Sequence, residues 1–408
     1  MCAVCMPTCP TYQASQDENL SPRGRISLVQ AVIQNKITLS DNVISHFDSC
    51  LQCMNCQNIC PSQVKYGEII NYALEQSFSH RKSKWVSISL FSNQFSSQIS
   101  DLILVNKTFR KSFILVINFL INSKLLPILK RFALKFNIKS LSLLPVSYIQ
   151  LPGILPKQKD SINITDNTSN TQHNIRQNSS NITIFSGCAT ALFDSQLLAQ
   201  ACHLFELLQV SIITIDSENC CGAIYKRQGN IEKLSKLKEL ANNNYPPNTQ
   251  LVSLNSACSG YMKKTSADND YSVDDVISVL ANKFGDRLKK IKFHPFPGKV
   301  LFHQSCSMRN ILKNQNDCFK LLKLIPNIKI TLFPQISCCG ASGNYMLSHA
   351  ELSEKIVNPY IEFIIKENIH VMVSTDISCS LHIKQQLEKQ NYHLEVLHPV
   401  SLLHQQLI

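Results

Sequence analysis

Glycine is scarce: 11 in 408 residues, and no two of them are separated by a single residue. A G-x-G-x-x-G turn is therefore excluded, and no G-x-x-x-x-G-K-[ST] loop occurs. Both familiar backbone cradles for nucleotide phosphates are missing. Flavin or nicotinamide chemistry, if relevant, belongs on another subunit. Long apolar runs are also missing. The stretch Ser112 to Ile121 is strongly apolar but too short for a spanning helix, which needs about 20 residues. Acidic residues are few, 28 Asp+Glu against 40 Lys+Arg, leaving a net charge of +12. That balance suits an anionic membrane surface or an acidic protein partner. The basic residues form no aromatic-interleaved patch and no nucleic-acid motif appears, so nucleic acid is not expected as a partner.

What the chain has in abundance is cysteine, 17 in all. Four of them form Cys50-x2-Cys53-x2-Cys56-x3-Cys60-Pro61, the run that holds cubane iron–sulfur clusters. A partner run, Cys2-x2-Cys5-x3-Cys9-Pro10, repeats the last three cysteines and the proline. A zinc ribbon also uses paired C-x2-C knuckles, but zinc does not need three thiols at x2-x2 spacing with Cys-Pro closing each run. In two-cluster ferredoxins the fourth cysteine of each run serves the other cluster. On that crossed pattern one [4Fe-4S] cube takes Cys50, Cys53, Cys56 and Cys9. The other takes Cys2, Cys5, Cys60 and a residue three positions before Cys2, ahead of Met1. The expectation is a start codon further upstream, with an in-frame cysteine codon two codons before Met1. The alternatives are a non-cysteine fourth ligand or a three-iron cluster. With no signal-peptide pattern, the cysteines point to metal ligation in a reducing cytoplasm rather than to disulfides.

The fold class expected is α+β. Residues 1–80 read as a two-cluster module enlarged by helices, one after Ser21-Pro22 through Ile33 and one around Tyr66 to Phe78. Residues 81–155 are a helical connector, basic and apolar, in which Lys124 to Phe136 mixes the two at helical spacing. It either packs on the body of the protein or docks to a partner or membrane surface. Residues 156–181 are a flexible linker, because Lys157 to Asn181 is crowded with Asn, Ser, Thr and Gln.

Residues 182–297 and 298–408 read as two copies of one domain. Cys188, Cys220-Cys221-Gly222 and Cys258 recur as Cys306, Cys338-Cys339-Gly340 and Cys379, at offsets of 118, 118 and 121. Each copy alternates strands and helices: Ile182–Phe185, a helix over Leu192–Val210, Ser211–Ile215 and Leu251–Leu254 in the first, Val300–His303, Ile328–Phe333 and Val371–Ser374 in the second. Parallel α/β layers follow, with the repeated cysteines beyond the carboxyl ends of the strands. Adjacent cysteines present two thiolates, and the following glycine permits a tight turn with exposed N–H groups. A metal or cluster site, a structural site and a redox dithiol all remain open for Cys188, Cys220, Cys221, Cys258, Cys306, Cys338, Cys339 and Cys379. Cys202 and Cys318 read as core packing. His303, His349 and His382 beside the motifs read as hydrogen-bonded structural residues. No catalytic residue is expected.

The Cys-Pro runs, Ser21-Pro-Arg-Gly-Arg25, Pro61 through Tyr66-Gly67, Phe302-His-Gln-Ser-Cys306 and Cys338-Cys-Gly-Ala-Ser-Gly343 together resemble the glycolate oxidase iron–sulfur subunit family. The resemblance implies an electron-transfer subunit of a complex that oxidises glycolate to glyoxylate, and also D-lactate. It further implies flavin (FAD) on a partner subunit, electrons passed towards the quinone pool, and a cytoplasmic protein peripheral on the inner face of the membrane. No turnover is expected from this chain alone. The runner-up is a subunit of a related complex: heterodisulfide reductase-like, anaerobic glycerol-3-phosphate dehydrogenase or lactate utilisation. A third class is a zinc-stabilised scaffold. Two departures stand out: the missing first cysteine, and Tyr261 and His382 where heterodisulfide reductase subunits close the repeat with C-x2-C.

Overall fold

The structure is a computed structural model that describes residues 2–83, 107–123, 125, 182–213, 220–245, 248–265, 271–335 and 338–408. The expected linker 156–181, most of the connector and the helical pattern of Lys124 to Phe136 lie outside the described residues.

The amino-terminal part is helical. Helix Pro22–Ile33 starts where the sequence says: Pro22 presets the first turn and Ser21 Oγ accepts from the Gly24 N–H at 3.0 Å. Helices Asp41–Asp48 and Tyr66–Ser83 pack against it. Val29, Val43, Phe47, Ile70 and Leu74 form their common core, which also takes in Cys50 and Cys56.

The rest is α/β, as expected. Strands β1 (Ile182–Phe185), β2 (Ile212–Ile213), β3 (Gln250–Ser253) and β4 (Ser272–Asp275) form one sheet in the order β2-β1-β3-β4. Strands β5 (Lys299–His303), β6 (Lys329–Leu332), β7 (Val371–Ser374) and β8 (Glu395–Leu397) form a second, in the equivalent order β6-β5-β7-β8. Every pairing in both is parallel. One hydrophobic core serves the two repeats, with Ile184 and Val252 of the first beside Phe302 and Val373 of the second. Cys318 is fully buried in it and Cys202 packs against it.

Two details differ from expectation. β4 and β8 have no counterpart in the sequence reading. The helix expected over Leu192–Val210 is two helices, Cys188–Phe193 and Gln196–Leu207. The break falls at Asp194, whose backbone leaves the helical region at φ −144°, while its carbonyl accepts from the Leu197 N–H to start the next turn.

No helix among the described residues is long and apolar enough to cross a membrane.

Candidate metal centres

The run from Cys50 to Cys56 is a contorted loop. Gln52 and Met54, the residues between and beside its cysteines, take the left-handed conformation at φ 52° and 60°. Non-glycine residues hold that conformation when the surroundings enforce it. Here it turns successive side chains to one side, and the Gln52 N–H points back to Cys50 Sγ at 3.4 Å. A small cavity results, walled by Cys9, Cys50, Cys53 and Cys56 together with Arg25 and Tyr66. All four thiols are buried, and none of the 17 cysteines is in a disulfide. Four buried, converging thiols in a small pocket with a cation in its wall fit a [4Fe-4S] cube.

Cys5 faces Cys2, Cys60 and Cys9, after burial the main influences that raise its thiol pKa. This second set is the outer one: Cys2 is exposed and Cys5 and Cys60 half-buried.

In the repeats, every paired cysteine lies beyond the carboxyl end of a strand. In a sheet ordered β2-β1-β3-β4 the chain reverses direction of winding between β1 and β3, and that crevice is the usual ligand site. Cys188 follows β1 and Cys258 follows β3; Cys306 follows β5 and Cys379 follows β7. Cys188, Cys220, Cys221 and Cys258 are linked thiol to thiol in that order. In the second repeat Cys306, Cys338, Cys339 and Cys379 repeat the chain, with 2.7 Å between the last two sulfurs.

The glycine after each pair does what its position requires. Gly222 and Gly340 are left-handed, at φ 89° and 74°. Their N–H groups turn back to Cys220 Sγ at 3.4 Å and Cys338 Sγ at 3.5 Å, donors that stabilise negative sulfur.

The second repeat also grips the amino-terminal loop. Cys53 is buried against Cys306 and Cys338; after burial, Cys306 is the strongest influence raising its pKa. Asn310 Nδ2 donates to the Cys53 carbonyl at 2.6 Å and Ser342 Oγ to the Leu51 carbonyl at 2.9 Å. Arg227, from the first repeat, donates to the Cys50 carbonyl.

Arginines are the residues the sequence reading did not assign. Arg25 is 1% exposed. It donates to the His46 carbonyl, Thr11 Oγ1 and Ser49 Oγ, with no carboxylate among these partners. Burial pulls its pKa down, but its electrostatic attraction to Cys50, Tyr66 and Cys9 outweighs that and raises it. The neighbouring thiol and burial raise the pKa of Cys188 well above its ordinary value, as they do for Cys306, and the buried Arg110 beside Cys188 and Arg309 beside Cys306 offset only part of that rise. Arg23 lies within electrostatic reach of Cys5 in the outer set, so each of the four thiol sets has an arginine at hand. The hint in the sequence was Arg25 inside Ser21-Pro-Arg-Gly-Arg25, next to the proline that starts a helix.

His349 and His382 are structural. His382 Nδ1 is 2.7 Å from the Cys339 carbonyl and its Nε2 meets Ser353 Oγ. His349 stacks on Tyr345 and bonds to Ser348.

Comparisons with known proteins agree. The 4Fe-4S dicluster domain matches residues 1–64, and the Cysteine-rich domain, CCG, matches residues 182–262 and 300–384. A probable glycolate oxidase iron-sulfur subunit of Bacillus subtilis (strain 168) is 26% identical, covering 95% of this chain and 88% of its own length. The glycolate oxidase iron-sulfur subunit of Escherichia coli (strain K12) is 21% identical over 94% of this chain. Lactate utilization protein A of Geobacillus sp. (strain WCH70) is 23% identical over 54% of this chain, though it is covered over 98% of its own length. The chain thus joins a 4Fe-4S dicluster domain to a duplicated Cysteine-rich domain, and over nearly its whole length it is similar to glycolate oxidase iron-sulfur subunits.

Proposed function

We propose that this chain is the electron-transfer subunit of a complex oxidising glycolate to glyoxylate, and D-lactate with it. A partner subunit carries the flavin and the quinone pool receives the electrons. The observation that carries this reading is the contact between Cys53 and Cys306, which joins the buried amino-terminal thiol set to a thiol set of the second repeat.

Cys9, Cys50, Cys53 and Cys56 would hold one [4Fe-4S] cube; Cys2, Cys5 and Cys60 would hold three corners of a second. Such clusters supply one-electron storage at a potential set by hydrogen bonds, charge and burial. The protein supports this role from its own residues. The outer set is open to a partner, the inner set is sealed, and the arginines balance negative sulfur. The eight repeat cysteines would hold further metal. The subunit named for lactate utilisation aligns with only about half of this chain, whereas the glycolate oxidase subunits span nearly all of it; that difference favours the glycolate reading.

The docking surface for the flavin subunit, or for the inner membrane face, includes helix Lys107–Asn122, which leaves Phe109, Leu115, Val116 and Phe119 exposed. Such a contiguous apolar face marks an interaction site.

The test is anaerobic purification of the chain alone and with its flavoprotein partners. The chain alone should contain at least seven to eight irons with matching acid-labile sulfide and should not turn over glycolate. In the assembled complex, glycolate should reduce its EPR-active centres. A colourless protein holding zinc alone, or glycolate oxidation by the isolated chain, would overturn the proposal.

A further inference from the structure

The two repeats are not equivalent. β5 ends on His303 where β1 ends on Phe185, each three residues before the first cysteine of its site. Phe185 is buried among Tyr245, Leu251 and Met262. His303 is 4% exposed. Its Nδ1 is 3.0 Å from the Tyr360 hydroxyl and the two rings meet edge to face. Its Nε2 has no hydrogen-bond partner among the described residues. Leaving a buried polar atom unpaired costs on the order of 1–3 kcal/mol. One ring nitrogen of His303 and the sulfurs of Cys339 and Cys379 all lie within 4.8 Å of one another, a gathering of metal-ligand atoms that no other trio among the described residues matches.

We propose that the second repeat holds a mixed nitrogen–sulfur iron centre, with His303 binding iron beside Cys339 and Cys379, whereas the first repeat holds an all-thiolate one. Thiolate and imidazole are both ligands that iron accepts. Tyr360 on Nδ1 is the kind of partner that fixes the orientation of an imidazole, and it leaves Nε2 as the nitrogen to bind iron.

Four thiols and one imidazole exceed the four positions of a single tetrahedral ion. The donors are also divided in space. Cys306 and Cys338 pack with Cys53 of the amino-terminal loop, while Cys339 and Cys379 pack on the far side with Leu301 and Tyr360. The set therefore suits more than one iron, with the nitrogen at the end away from the amino-terminal cube site. Histidine in place of cysteine on an iron raises its potential. The repeat that touches the amino-terminal thiols is thus the one tuned to accept electrons.

This inference rests on the reading above only in requiring iron in the repeats. The test uses the full-length protein, made without oxygen and reconstituted with iron and sulfide, with and without 15N-labelled histidine. Pulsed EPR should show a nitrogen coupling on a centre distinct from the cubes, and the label should change it. His303→Phe, which copies Phe185, should abolish that coupling. His303→Cys should keep the iron, lose the coupling and move that centre's midpoint to lower potential. The cube signals should stay unchanged in both variants. Full cubes with no iron in the repeats, zinc in the repeats instead of iron, a coupling that survives His303→Phe, or a repeat-site signal with no histidine nitrogen would each overturn the inference without touching the cube assignment. Loss of the cubes from the unaltered protein would instead sink the functional reading.

Discussion

The Arg227 guanidinium donates to the Cys50 carbonyl at 2.9 Å while lying 4.8 Å above the ring of Tyr345. Three parts of the chain meet there: the first repeat supplies the arginine, the amino-terminal loop the carbonyl, and the second repeat the ring. Tyr345 closes the junction by donating its hydroxyl to the Ser49 carbonyl at 3.1 Å. Arg227 also donates to Ser342 Oγ at 3.1 Å. Burial lowers its pKa, and the nearby Tyr345 and Cys50 only partly offset that, so the charge is held at a cost.

Arg227→Met removes that cost but leaves the Cys50 carbonyl unpaired in a buried place. The two effects oppose each other, and the orphaned carbonyl should win, with a net loss of about 1–3 kcal/mol. Urea unfolding of the iron-loaded protein checks this. The inner cube should also bleach faster in air than in the unaltered protein. Arg227→Lys keeps the charge but loses the planar fork and the stacking, so it should recover only part of the stability.

Arg25 should set the potential of the inner cube. Its positive charge sits beside Cys50 and Cys9 with no carboxylate to cancel it. A cation favours the more negative, reduced state of whatever those thiols hold. An opposite charge within about 4–6 Å shifts an equilibrium by about 1–3 pKa units, which at 59 mV per tenfold for one electron is about 60–180 mV. Arg25→Gln should lower the midpoint of that centre by this amount in an EPR-monitored titration. Arg25→Lys should lower it by less. A midpoint unmoved by Arg25→Gln would mean that the charge is screened from the site.

Gly222 and Gly340 occupy the same place in the two repeats, yet they should tolerate a methyl group unequally. Both need a left-handed backbone, which costs a non-glycine residue roughly 1–2 kcal/mol. At Gly222 the added Cβ would meet Leu234 Cδ1 at 2.8 Å, the end of a side chain that can swing away. At Gly340 it would meet the Ser353 carbonyl oxygen at 2.8 Å, which is helix backbone. Gly340→Ala should therefore destabilise more than Gly222→Ala, and should lower the iron bound by the second repeat. Denaturation midpoints and iron content of the two variants, side by side, decide it.

Thiol positions were legible in the sequence because ligand spacing is written residue by residue: Cys50, Cys53 and Cys56 follow one another along one loop. Strands β1, β3, β5 and β7 were legible for a similar reason, as short runs rich in apolar residues a few positions before Cys188, Cys258, Cys306 and Cys379. β4 was not, because Ser272–Asp275 ends in two acidic residues, and β8 is three residues long. The roles of Arg25, Arg110 and Arg309 were hidden because an arginine reads as surface charge until tertiary structure buries it. The meeting of Cys53 with Cys306 is separated by more than 250 residues of chain, and no local pattern announces such a contact.

Asp376 offers the sharpest test of how the two repeats are coupled. It is 5% exposed, and burial raises its pKa. Its charge acts on Cys258 of the first repeat and on Cys306 and Cys379 of the second, raising each of those thiols. One buried carboxylate thus lies against both repeat sites. The equivalent residue in the first repeat is Asn255, and the two share one local job. Asn255 Oδ1 accepts from the Ala257 N–H at 2.9 Å, and Asp376 Oδ1 accepts from the Ser378 N–H at 3.1 Å, each starting the helix that carries the last cysteine. Asp376→Asn should therefore keep the cap and the fold while removing the charge. With that negative charge gone, reduction of metal held at either repeat becomes easier, and both midpoints should rise together, by about 60 mV for each pKa unit of interaction lost. A rise at one repeat only would show that Asp376 serves a single site. Potentiometric EPR on the two repeat signals, with the amino-terminal cubes as an internal reference, separates these outcomes.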